Sequence, residues 1–240
     1  MQDYFDTIFC INLDRRTDRW AEAQAEMRRT GLTKCLRFSA FERENASAGC
    51  ASSHRHIWDW IGRGLYGDRV LILEDDFSLV TISDLRRAGF SVDSDVARIF
   101  NEPSVEATTD AEWLAKRFAI MVSEVPDDWD AIYLGGSYER KPIGRVSRHV
   151  IQTAGMHTTH AYALTKRSAA LMTEILDRRA SRNEYIGGID SILCGYAQSM
   201  KFYTLSPRLF IQRPSPSDIN PAASIGFSWS QTDAVHEMMV

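Results

Sequence analysis

The sequence predicts an α/β protein whose central sheet is mostly parallel and sandwiched by helices. Three observations predict it. Short apolar runs recur along the chain, amphipathic stretches separate them, and the clearest run, Val70-Leu71-Ile72-Leu73, stops abruptly at three acids. Strands covered on both faces read as continuous apolar runs, and their alternation with helices is the pattern of parallel sheets. At 240 residues, 44% hydrophobic and 25% charged, the chain can build one sizeable core. Residues 1–240 therefore read as one domain.

The elements follow in order. Thr7 to Leu13 reads as a strand buried on both faces, and Asp14 or Thr17 can cap a helix that runs to about Thr30, where Gly31 is placed to end it. Leu36 to Ala40 reads as a second strand. Ser52 or Ser53 can begin a helix through Ile57, Trp58 and Ile61, and Arg69 to Leu73 follows as a strand. Residues 81–126 read as an irregular insertion or lid holding one amphipathic helix, with Leu114, Phe118, Met121, Val122 and Val125 at helical spacing. Asp130 to Leu134 and Ala161 to Leu164 read as strands. Helices follow through Leu171, Met172, Ile175 and Leu176, and from Gly187-Gly188-Ile189-Asp190 through Ile192, Leu193 and Tyr196. The proline-bearing tail from Ser206 reads as mostly loop.

Composition narrows the function. Lys+Arg 28 against Asp+Glu 32 gives a net charge of −4, which argues against a nucleic-acid partner, since such a partner calls for a basic face. Cys10, Cys35, Cys50 and Cys194 form no C-x-x-C pair, and are expected as reduced thiols. The first six residues carry two acids and no basic region, so they do not read as a signal peptide. No apolar run approaches the ~20 residues that span a bilayer. The expected location is the cytoplasm, with peripheral contact at its membrane face left open.

Four motifs carry the chemistry. Glu74-Asp75-Asp76 ends a buried strand, the end of an open α/β sheet where ligands bind. Three clustered carboxylates repel unless solvent or a cation screens them, and oxygen ligands suit Mg²⁺ or Mn²⁺. In extended geometry Glu74 and Asp76 point one way and Asp75 the other; the plain alternative is a set of solvated loop acids. Asn12-Leu13-Asp14-Arg15-Arg16-Thr17-Asp18-Arg19 spans the first strand–helix junction, where backbone N–H groups favour anions. Arg15 and Arg19, four apart, can share a helix face and address a phosphate or base, or simply form a salt-bridged helix start. In Gly49-Cys50-Ala51-Ser52-Ser53-His54-Arg55-His56, the two histidines lack the i, i+4 spacing of a metal pair. His54 suits a polar position beside a nucleotide or a helix cap. Asp190 follows two glycines at a helix start; it either complements the helix dipole or accepts a proton from an attacking hydroxyl.

Taken in order, these segments resemble glycosyltransferase family 25, the lipooligosaccharide-biosynthesis and collagen galactosyltransferase group. The resemblance runs through Ile11 to Arg16 with Arg19, Gly49 to His54, Leu71 to Asp76, Asp130 to Gly135, Ala161 to Leu164, Ile189-Asp190, and the tail from Gln212 to Ile219. Ser52 departs from the apolar residue expected there, and 81–126 has no counterpart. The resemblance implies a GT-A-like nucleotide-sugar-binding fold, a UDP-sugar donor (often UDP-galactose), Mn²⁺ or Mg²⁺, inversion at the sugar, and a saccharide or glycoconjugate acceptor. It implies that Asp76 holds the cation with His236 completing the shell. Asn12, Asp14, Arg15, Arg19, His54, Glu74 and Asp75 would hold the donor, Gly135 and Gly136 would leave room for it, and Asp190 would be the base. Two other readings stand beside it: a metal-dependent phosphoesterase using the carboxylates and His54, and an inactive glycosyltransferase-like carbohydrate-binding or scaffold protein.

Overall fold

A computed structural model describes residues 1–80, 108–136, 142–184, 188–206, 208–213 and 215–219. Ten strands form one sheet. They are β1 (Thr7–Asn12), β2 (Leu36–Ser39), β3 (Arg69–Glu74), β4 (Phe77–Leu79), β5 (Ala131–Gly135), β6 (Gly144–Arg145), β7 (Val150–Gln152), β8 (Ala161–Thr165), β9 (Phe202–Leu205) and β10 (Phe210–Gln212). The described helices are α1 (Thr17–Thr30), α2 (Ala46–Gly62), α3 (Asp110–Val122), α4 (Lys166–Ser181) and α5 (Ile189–Tyr196).

The sheet order is β2-β1-β3-β8-β5-β9-β7-β6, with β10 bridging β4 and β5. Strands β1, β2, β3, β5 and β9 share one direction, and β8 runs against both of its neighbours, β3 and β5. The sheet is thus mixed but mostly parallel.

Alternation along each central strand feeds two cores. Leu71 and Leu73 of β3 join one face, with Ala23 and Met27 of α1 and Leu114 and Phe118 of α3. Val70 and Ile72 join the other, with Ile57 and Trp58 of α2, Met172 and Leu176 of α4, and Leu193 of α5. A helix layer on each face explains why these strands are apolar throughout.

Several boundaries differ from the sequence reading. Helix α2 begins at Ala46 rather than Ser52, because Asn45 caps it: the Asn45 side chain accepts from the Ala48 amide at 3.0 Å. Helix α1 ends where expected, with Gly31 at φ 72°. The helix foreseen inside 81–126 is α3, which buries Trp113, Leu114, Phe118 and Met121 and so is a core element rather than a lid. Residues 81–107 lie outside the described residues. The tail read as loop contains β10, which pairs with β4 beside the acidic turn.

Candidate functional site

The sheet order reverses between β1 and β3: β1 leads outward to β2, and the chain then returns to the other side of β1. Ligands of open α/β sheets bind at such switch points, outside the carboxyl ends of the strands. A cleft of about 900 Å³, open mouth included, lies there. The end of β1 (Ile11, Asn12), the Glu74-Asp75-Asp76 tip, and Ser53 and His54 of α2 line it. Phe41, Glu42 and Arg43 form another wall, and Gln212, Arg213 and the 215–219 tail form the last.

The three acids do not alternate as an extended strand would place them. Strand β3 ends at Glu74, and Asp75 and Asp76 form a turn into β4. The turn brings Asp75 and Asp76 together on Arg19, whose Nη2 lies 2.5 Å from an oxygen of each. Asn12 braces the same turn: its amide donates to Asp75 Oδ2 at 2.6 Å, and its oxygen accepts from Arg37 at 2.6 Å. Gln212 donates to Asp76 Oδ2 at 3.0 Å, and the Arg213 amide donates to the Asp76 carbonyl.

Glu74 faces away from this pair. Its Oε1 accepts from Thr159 Oγ1 at 2.6 Å and lies 3.4 Å from His54 Nε2. Trp58 Nε1–H donates to the Tyr162 hydroxyl at 2.8 Å, and that hydroxyl lies 2.7 Å from His54 Nδ1. We assign the Tyr162 proton to Nδ1, which leaves the ring proton on Nε2; at 3.4 Å its approach to Glu74 is an electrostatic contact rather than a hydrogen bond. The chain Trp58–Tyr162–His54–Glu74 thus fixes a carboxylate at the cleft wall.

Burial sets the charges. It pushes Asp75 up to about 6; Arg19 and Asn12 oppose it, while Asp76 and Glu74 add to it. Asp76 is raised by burial and by the charge of Glu74, against Arg19 and Gln212. Burial also acts upward on Glu74 but is outweighed by His54 and Thr159, so Glu74 falls to about 2. The Cys50 thiol is held well above its ordinary range by burial and by Glu74 and Asp190, so it stays protonated and is no nucleophile.

These charges bear on a cation. Oδ1 of Asp76 is buried and accepts no hydrogen bond among the described residues. A buried carboxylate oxygen without a donor, beside two further acids whose charges one guanidinium only partly offsets, fits a hard divalent ion. Among the described residues, Cys50, His54 and Glu74 also lie close enough to share an ion, their ligand atoms within 4.8 Å of one another. Glu74 is already engaged by Thr159 and Cys50 holds its proton, so the Asp76 side of the tip is the better seat.

The expected site residues divide. Asn12, Arg15, Arg19, His54, Glu74, Asp75 and Asp76 line one cleft. Asp14 does not; it is exposed and pairs with Arg37 at 3.0 Å, while Ser39 donates to it. Gly135 and Gly136 do not leave room for a ligand. A Cβ on Gly135 would come 2.5 Å from His160 Nε2, and one on Gly136 would come 2.0 Å from Met156 Sδ, so the protein itself fills that space. Asp190 opens α5 outside the cleft lining; burial raises its pKa, and the Ser191 amide donates to it. His236 lies outside the described residues. Sequence reasoning missed Phe41, Arg43 and Arg213, and it missed Tyr162 and Trp58 as polar partners of His54; the apolar runs holding those two rings give no sign of it.

No family model matches the chain, and no curated protein matches it. Solved structures do. A glycosyltransferase involved in the glycosylation of the major capsid of PBCV-1 superposes with a TM-score of 0.50 over 98% of each chain, at 8% identity. The chain has a GT-A-like fold. Two lower-scoring structures are A197 from STIV (TM-score 0.39, 13% identity, 87% of this chain and 94% of that one) and mannose-1-phosphate geranyltransferase from Thermus thermophilus (0.37, 8%, 86% and 73%). Among the described residues, no helix is long and apolar enough to cross a membrane.

Proposed function

We propose that this protein is a metal-dependent inverting glycosyltransferase of the family 25 type. It moves a hexose, galactose first among them, from a UDP-sugar to a hydroxyl of a saccharide or glycoconjugate. The observation that carries this reading is the cleft at the β1/β3 switch point, where arginines and a braced acidic turn share one opening within a GT-A-like fold.

The chemistry follows from charge. Cleaving the sugar–phosphate bond builds negative charge on the departing diphosphate, and preorganised positive groups stabilise it. Arg15 and Arg19 supply such groups from the start of α1. Asp76, through its unpartnered oxygen, would hold Mn²⁺ or Mg²⁺, which supplies Lewis-acid neutralisation of that same charge when bound. Glu74, fixed by His54 and Thr159, is suited to accept from a hydroxyl of the donor. Inversion needs a base opposite the leaving group, and Asp190 is our assignment: burial already biases it toward holding a proton. We place the reaction in the cytoplasm, where four free thiols remain reduced.

Incubation with Mn²⁺ and a panel of nucleotide sugars tests the reading. UDP-galactose is expected to raise the melting temperature and to be consumed with release of UDP. Release of UMP or inorganic phosphate would instead identify a phosphoesterase. Binding without turnover at any acceptor would identify an inactive carbohydrate-binding or scaffold protein, and no response to any nucleotide sugar overturns the proposal.

A further inference from the structure

The tail reaches back across the molecule to the first strand–helix junction. Asp218 Oδ1 accepts from Arg15 Nη2 at 2.7 Å, Asp218 Oδ2 accepts from Arg16 Nη1, and Arg19 Nη1 lies 3.6 Å from Oδ2. Three guanidiniums thus converge on one carboxylate, whose side chain is 17% exposed. We infer that Arg15, Arg16 and Arg19 form a seat for the diphosphate of a nucleotide ligand, and that Asp218 is its built-in occupant, which the ligand must displace. The inference rests on the transferase reading only for the identity of that ligand.

Two features support displacement. Each arginine has a second acidic partner: Glu42 for Arg15 at 2.5 Å, Asp18 for Arg16 at 2.9 Å, and the Asp75–Asp76 turn for Arg19. The guanidiniums therefore stay in place when Asp218 withdraws, and the seat is preorganised. Charge then favours exchange over addition. With Arg16 of the seat added to the four arginines of the cleft lining, five arginines face five carboxylates, so a diphosphate added beside Asp218 would turn a balanced site strongly negative. Withdrawing Asp218 removes one of those charges and frees donors for phosphate oxygens, which arginine forks match. The tail then acts as a closed strap, and the apparent affinity for the ligand is reduced by the fraction of molecules in which the strap is open.

The test measures binding of inorganic pyrophosphate and of UDP by calorimetry to the wild-type chain, Asp218→Asn and Asp218→Glu. Asp218→Asn is expected to bind both at least about fivefold more tightly, a typical coupling between competing states. Asp218→Glu keeps the charge and is expected to stay near wild type. Arg16→Gln is expected to weaken pyrophosphate binding and to shrink the gain from Asp218→Asn in the double variant. Equal or weaker binding by Asp218→Asn overturns the inference, as does an absence of pyrophosphate binding in every protein. Should Asp218→Asn not fold, Asp218→Ser replaces it, and the Arg16 cycle is run with that variant. Turnover of a nucleotide sugar without any effect of Asp218→Asn sinks the strap and leaves the transferase reading standing. Tighter pyrophosphate binding without any nucleotide-sugar turnover does the reverse.

Discussion

Nη2 of Arg19 lies 2.5 Å from Oδ2 of Asp76, with both side chains about nine-tenths buried. Removing one partner of a buried pair strands the other, which costs about 3–5 kcal/mol. Arg19→Met is therefore expected to lower stability by about that amount at neutral pH, less near pH 5, where Asp75 can protonate instead. Urea unfolding at the two pH values checks it. An equal loss at both would show that packing, not charge, is what Arg19 contributes.

Asp75 gives stability a definite pH slope. Its carboxyl titrates at about 6 in the folded chain and at about 3.9 unfolded. Between those values the folded state binds the extra proton, so stability falls as pH rises through the window. Asp76 is raised as well and adds to the same trend. Glu74, at about 2, acts below the window. Asp75→Asn is expected to flatten the slope in unfolding experiments between about pH 4 and 6. A wild-type slope that survives the substitution would remove Asp75 as its source.

Asp76→Asn takes from the buried Arg19 guanidinium one of its two acidic partners and leaves Asp75 to hold it, so a lowered melting temperature with the fold retained is expected. Donor turnover should fall by about 10²–10³, the scale for losing one electrostatic stabiliser, and the response of thermal stability to Mn²⁺ should vanish. Retained turnover, or a retained Mn²⁺ shift, would move the cation away from this residue.

Tyr162 links Trp58 to His54 in a fully buried setting. Tyr162→Phe leaves an indole N–H and an imidazole nitrogen without their partner, at about 1–3 kcal/mol. Trp58→Phe alone should also destabilise, and the double variant should cost less than the sum. Additive losses would mean that the two rings act independently.

Asp190→Asn is expected to spare nucleotide binding while cutting transfer by about 10²–10⁴, the range for a lost general base. Comparing UDP affinity with turnover separates the two. Unchanged transfer would direct attention to another acid.

How far these features could be read in advance depends on their range. The two-sided strands, Gly31 as a helix stop, and the cleft positions of Asn12, Arg15, Arg19, His54 and Glu74-Asp75-Asp76 were legible, because each depends on a local run or spacing. The direction of β8 was not: Ala161 to Leu164 looks the same run either way, and only the chain path reverses it. Nor was the convergence of Asp75 and Asp76, since alternation holds only while a strand continues and β3 stops at Glu74. Arg19 read as a ligand contact, and its second role as the partner of two acids more than fifty residues away was not visible. Gly135 and Gly136 looked like space for a substrate because the bulk of His160 and Met156 comes from another part of the chain.

The acidic turn is held from both sides in sequence, by Asn12 and Arg19 early in the chain and by Gln212 and Arg213 late in it. During synthesis the early clamps precede the turn they hold, whereas the late ones emerge only after β1 to β9 have been made. The cleft is therefore the final piece to mature, and a nascent polypeptide that stalled before Gln212 would carry an unfinished one.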